Sequence, residues 1–202
     1  MSRKTATVHV FAPVLAAVLL AGCGAGDNPF ASDAQGGSLP GASALPDCDS
    51  IGATTRGFVD GWTLDPSSGP FQHGPDNHGV SCTWLSPRAQ SGNPHLIAQA
   101  AAFSININVH TRMQTEAEAR STGWVVDDPA VEALGGYILF PAGRLDFDDQ
   151  LGLVGPHVTV GKVSVAVGQT GAMVVNDIDE GRPMTNRRAV DAAVAVHRLI
   201  KR

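Results

Sequence analysis

The stretch FSININVH, Phe103 to His110, alternates without error. Phe103, Ile105, Ile107 and Val109 are apolar, and Ser104, Asn106, Asn108 and His110 are polar. Successive side chains of a strand point to opposite faces, so this period of two demands a strand with one dry face and one wet one. A helix would scatter the same four apolar residues around its circumference. Asn106, Asn108 and His110 could floor a groove, but exposure to solvent is the default for such a face.

Other segments supply partners for that strand. GVSCTWLS, residues 79–86, reads as a strand with Cys82 and Trp84 on the same face. In HVTVGKVSVAV the apolar valines are even-numbered before Gly161-Lys162 and odd-numbered after it. That switch fits a two-residue hairpin turn, with a single bulged strand as the alternative. GYILF (136–140), LDFDD (145–149) and LGLV (151–154) also read as β. Residues 63–78, rich in Pro, Gly and turn formers, read as loop.

Helical signals flank the strands. A short first helix is capped near Asp47, although Gly52 and Gly57 weaken it. Thr115 and Glu118 stand at capping-box spacing, with Gly123 where the helix would stop. Asp128-Pro129 sets an N-cap before a helix that ends at Gly135-Gly136. From Thr185 to Arg202 an amphipathic helix carries Val190, Ala193, Val194, His197 and Ile200 on one stripe, with Lys201 and Arg202 suiting its C-terminal dipole. Helices early and late around antiparallel strands predict an α+β domain, an antiparallel sheet with helices packed on one face.

The start of the chain carries an address. Arg3 and Lys4 precede eleven apolar residues, Phe11 to Ala21. About 20 are needed to span a bilayer, so the run reads as a secretory signal. Leu20-Ala21-Gly22-Cys23 resembles a bacterial lipobox. By that resemblance residues 1–22 are removed by cleavage between Gly22 and Cys23, and lipid is attached to the Cys23 sulfur. The expected location is then the outer face of the cytoplasmic membrane, held there by acyl chains. Residues 24–44 hold only two large apolar side chains, Phe30 and Leu39, and read as a tether of about 25 Å root-mean-square reach. Residues 45–202 remain as one globular domain.

Charge narrows the partners. The chain has 14 Lys and Arg against 19 Asp and Glu. Without Arg3 and Lys4 the mature protein sits near −7, which disfavours nucleic acid and adsorption to anionic lipid. With Cys23 lipidated, Cys48 and Cys82 remain. In an exported chain the simplest outcome is one disulfide; two separate buried thiols would follow only without export.

Taken together, the lipobox, the tether, Asp47-Cys48, Cys82-Thr83-Trp84 and Val131-Glu132-Ala133-Leu134-Gly135-Gly136 resemble a family of small actinobacterial lipoproteins of unknown function. The resemblance covers residues 45–202 through short motifs. It implies a Cys48–Cys82 bridge and a PsbP-like α+β sandwich, and brings no activity with it. Asp47 stands where the family more often has Pro.

Chemical constellations are sparse. His73, Asp76 and His78 fall within six residues and are weak candidates for zinc or copper, or for an enzyme site. Their Gly- and Pro-rich surroundings favour a solvated loop. His78-Gly79 is not the His-Gly-Cys core of envelope transpeptidases, because Val80 and Ser81 intervene before Cys82. DFDD (146–149) and DIDEG (177–181) lack the ligand spacing of an EF-hand and read as turns. His197 reads as a packed histidine with one nitrogen hydrogen-bonded. No nucleophile elbow, P-loop or H-E-x-x-H occurs, so no catalytic residue and no cofactor is assigned. The expected function is a non-catalytic binding or scaffolding domain for an envelope small molecule or protein partner. An envelope hydrolase or transferase built from dispersed residues is the alternative.

Overall fold

A computed structural model describes residues 39–55, 57–97, 100–171 and 184–200. The expected signal segment, the expected Gly22–Cys23 cleavage site and Cys23 anchor, most of the expected tether, DIDEG and Lys201-Arg202 lie outside the described residues. Among the described residues the chain forms helices α1 (Cys48–Thr54), α2 (Pro94–Ile97), α3 (Glu116–Ser121), α4 (Pro129–Glu132) and α5 (Asn186–Leu199). The strands are β1 (Thr63–Leu64), β2 (Gly69–Gln72), β3 (Asn77–Leu85), β4 (Ala101–His110), β5 (Val125–Val126), β6 (Gly136–Leu139), β7 (His157–Val160) and β8 (Val163–Gly171). They make one antiparallel sheet in the order β1-β3-β4-β8-β7-β6-β5, with β2 also paired to β3.

The strand signalled by FSININVH lies inside that sheet, between β3 and β8. Phe103, Ile105 and Ile107 are completely buried, and Ser104, Asn106 and Asn108 are half-buried. Register makes the dry face continuous. Cys82 and Val167 flank Ile105, Val80 and Val165 flank Ile107, and Trp84 opposes Phe103. Val158 and Val160 extend the face through Val165 and Val163. Val160 pairs with Val163 across Gly161-Lys162, so the parity switch is a hairpin and not a bulge.

Helix α5 closes this face with all five stripe residues buried. His197 sits within it, its Nε2 donating to the Val158 carbonyl at 2.9 Å. Thr185 caps α5 by accepting from the Arg188 amide. Ile51 of α1 and Val131 of α4 join the same core. The short α3 instead lies beside β6 near Tyr137, whose hydroxyl donates to the Gln114 carbonyl at 3.0 Å. Both halves of its Thr115–Glu118 capping box form.

Asp128 caps α4 as expected, accepting from the Ala130 and Val131 amides. Its other oxygen takes a 2.6 Å hydrogen bond from Arg187 of α5. Burial raises the carboxyl pKa, but the hydrogen bond and charge of Arg187 and the two amides outweigh it and hold the group below the usual carboxylate range.

Cys48 and Cys82 form a disulfide, with Cα atoms 5.5 Å apart, that joins the start of α1 to β3. Asp47 accepts from the Ser50 amide as the N-cap of α1, a polar role that Pro could not take at this position. Gly52 lies against the Trp84 indole, where an added Cβ would sit 3.3 Å from the ring. The glycine that weakens the helix thus lets it approach the sheet closely.

Three expectations need correction. Residues 63–78 are not only loop: β1, β2 and the first two residues of β3 lie there. Pro70 fits because β2 is paired on one side only, where a missing amide leaves no ladder bond unmade. LDFDD is not a strand. The Asp148 amide turns back onto the Asp146 side chain, and the Phe147 and Asp149 carbonyls accept the first amides of α5, from Arg187 and Asn186. LGLV is not a strand either. Residues 152–156 run past β8 with two spaced bonds, Gln169 amide to Gly152 carbonyl and Val167 amide to Pro156 carbonyl. Pro156 has no amide to complete a ladder.

The disulfide closes a loop of 34 positions, for which chain entropy gives about 3–4 kcal/mol. Replacing both Cys48 and Cys82 by Ser should therefore lower the urea unfolding free energy by about 2–5 kcal/mol. A double variant as stable as the wild type would show that the bridge does not hold α1 to the sheet.

Candidate functional site

Turning the sheet over exposes what the alternation of β4 leaves on its other side. Ser104, Asn106 and Asn108 project there, with Ser81 of β3 and Ala166 and Gly168 of β8 beside them. This row floors a cleft of about 600 Å³. Phe71 and His73 form one wall, from β2 and the turn after it; Leu153, Val154 and Gly155 form the other, with His157 at its foot. The volume falls within the range usual for small-molecule sites.

Each wall rests on a glycine. An added Cβ on Gly79 would lie 1.9 Å from the Ile107 carbonyl oxygen and 2.6 Å from the Phe71 ring. Bare backbone at 79 is therefore what seats Phe71 over β3. On the far side, a Cβ on Gly155 would lie 1.9 Å from the Val167 carbonyl oxygen. That close approach presses 152–156 onto β8 and turns Leu153 and Val154 outward, 71% and 47% exposed.

The floor is polar and only partly satisfied. Ser81 Oγ donates to Asn106 Oδ1 at 2.7 Å, leaving the Asn106 amide N–H groups without a partner among the described residues. Ser104 Oγ lies 3.4 Å from the Gly168 carbonyl, which can accept its proton. The Asn108 side chain makes no hydrogen bond among the described residues. Phe71 and His73 pack with ring centroids 5.0 Å apart and planes tilted by 35°. Among the described residues no Asp, Glu, Lys or Arg lines the cleft. Burial lowers the His157 pKa, which keeps the ring neutral at neutral pH.

The residues proposed from sequence are dispersed. His73 stands at the cleft mouth. His78 belongs to the opposite side of β3, where its Nε2 donates to the Pro40 carbonyl at 3.0 Å. Asp76 lies 4.0 Å from Arg112 in an exposed pair, and its carbonyl accepts from Thr111. Among the described residues no group of three or more His, Cys, Asp or Glu side chains converges as a metal site. His110 accepts the Arg112 amide on Nδ1, at the end of β4 and outside the cleft lining. Phe71, Leu153, Val154 and His157 were not singled out from sequence. Their signal is long-range: three elements far apart in the chain meet over one face.

No protein family, curated protein or solved structure matches this chain. Among the described residues no helix is long and apolar enough to cross a membrane.

The His157 shift gives a signed expectation. A ring whose folded pKa lies below 6.5 takes up its proton less readily when folded than when unfolded. Its contribution to stability is therefore intact above the unfolded value and lost as pH falls below it. The urea midpoint should drop between pH 7.5 and pH 5, and His157→Gln should drop less. Equal drops in the two proteins would show that His157 is not the group responsible.

Proposed function

We propose that the chain is a lipid-anchored envelope protein whose domain is a non-catalytic binding module, with the polar-floored cleft as its binding site. Leu20-Ala21-Gly22-Cys23 supports the anchor, and the disulfide supports export into an oxidising compartment. The similarity to small actinobacterial lipoproteins is part of this proposal.

The observation that carries the binding reading is the chemistry of the cleft. Nucleophilic catalysis by a serine needs a base beside its hydroxyl. Here the Ser81 hydroxyl donates to an amide and the Ser104 hydroxyl lies against a backbone carbonyl, so neither is bonded to the cleft histidines His73 and His157, and no carboxylate lines the cleft among the described residues. Unused amide groups on a flanked floor suit recognition. The dispersal of His73, Asp76 and His78 removes the support for a hydrolase or transferase built on those three residues. The net negative charge argues against a nucleic acid partner.

Native mass spectrometry of the full chain, extracted from membranes in mild detergent, tests both halves. The expected spectrum shows lipid covalently attached at an N-terminal Cys23 and a non-covalent ligand mass that Asn106→Ala loses. A wild-type chain without lipid would contradict the anchor. A ligand retained equally by Asn106→Ala would contradict the site.

A further inference from the structure

We infer that the cleft takes a neutral saccharide, bound with its ring face on Phe71 and its hydroxyls on the asparagines of β4. This rests on the reading of the cleft as a binding site and names the class of ligand.

The floor excludes several other classes. A charged ligand would meet no carboxylate, ammonium or guanidinium counter-charge, because among the described residues no Asp, Glu, Lys or Arg lines the cleft. An acyl chain would cover Asn108 and the Asn106 amide N–H groups without offering them a hydrogen bond, which disfavours it at each group left buried and unpaired. An extended peptide recognised by strand addition needs a free backbone edge. Here the floor is the interior face of β3, β4 and β8, whose backbone groups are committed to their ladders.

What remains is a neutral molecule rich in groups that both donate and accept. Primary amides donate through nitrogen and accept through oxygen, so they can bind a hydroxyl in either sense. Asn106 and Asn108 are two residues apart on one strand, which places them about 7 Å apart along the floor. Adjacent strands add polar or small residues at about 4.8 Å intervals. A sugar ring also carries a C–H face that is slightly positive, and it packs on the negative face of an aromatic ring. Phe71, supported by His73 at 5.0 Å, offers such a ring at one side of the floor. Leu153 and Val154 face it from the other side and can cover the remaining aliphatic surface. From β2 to β7 is four strand spacings, about 19 Å, enough for a short oligosaccharide.

The test uses the full chain with Cys23→Ser, labelled with ¹⁵N, and follows the side-chain amides of Asn106 and Asn108 during titration. The probes are cellobiose, maltose and N,N′-diacetylchitobiose, with lysophosphatidylcholine and tri-alanine as the apolar and peptide comparators. At least one disaccharide should shift both amides, with affinity falling tenfold or more in Phe71→Ala and in Asn108→Ala. Phe71→Tyr, which keeps the ring, should retain binding, and so should Arg198→Ala on α5. No shift with any disaccharide overturns the inference, as does saccharide binding insensitive to both losses. A shift produced only by lysophosphatidylcholine or tri-alanine also overturns it, but leaves the cleft standing as a binding site. Failure of that broader reading would appear separately, as the unchanged ligand mass of Asn106→Ala in the native spectrum.

Discussion

The structure depends on β4 keeping its two faces apart. Its ten residues alternate between the helix-covered core and the opposite face, where Ser104, Asn106 and Asn108 floor the cleft, so a register slip by one would carry Ile105 and Ile107 into the cleft and Asn106 and Asn108 into the core. Its neighbours hold the register. β3 and β8 lie antiparallel on either side, with Val80, Cys82, Trp84, Val163, Val165 and Val167 all facing the same core. The disulfide then binds α1 to β3 at Cys82, directly opposite Ile105. Core and cleft are thus two consequences of one alternating strand.

Much of the core side was legible in the sequence because its signals are local. The alternation of β4, the Gly161-Lys162 parity switch, the Thr115–Glu118 box and the Asp128-Pro129 cap each lie within a few residues and appear in the structure as read. The apolar stripe of α5 is likewise a local period, and all five of its residues are buried. The failures came where a segment's partner decides its state. Pro and Gly in 69–72 argue against a strand, yet the edge of β3 tolerates them. The alternation in LDFDD suggests a strand, yet its carbonyls are used by the amides of α5.

The cleft was legible only as a floor. Asn106 and Asn108 could be placed on the polar face of a strand, but nothing local reveals what stands beside that face. Phe71 reaches it because Gly79 is bare, and Leu153 and Val154 reach it because Gly155 presses against β8. These contacts join residues separated by many tens of positions, and no periodicity reports them. The reading of that face as solvent-exposed by default gives way to half-buried residues between two walls.

The proposed place at which this protein meets a ligand is the face opposite α5. In-cell photo-crosslinking tests it most directly, with benzoylphenylalanine replacing Leu153 at the cleft wall or Arg198 on the exposed side of α5. An adduct is expected from position 153 that is absent from position 198 and is lost when Phe71→Ala is added. Adducts of equal yield from both positions, or from position 198 alone, would contradict it.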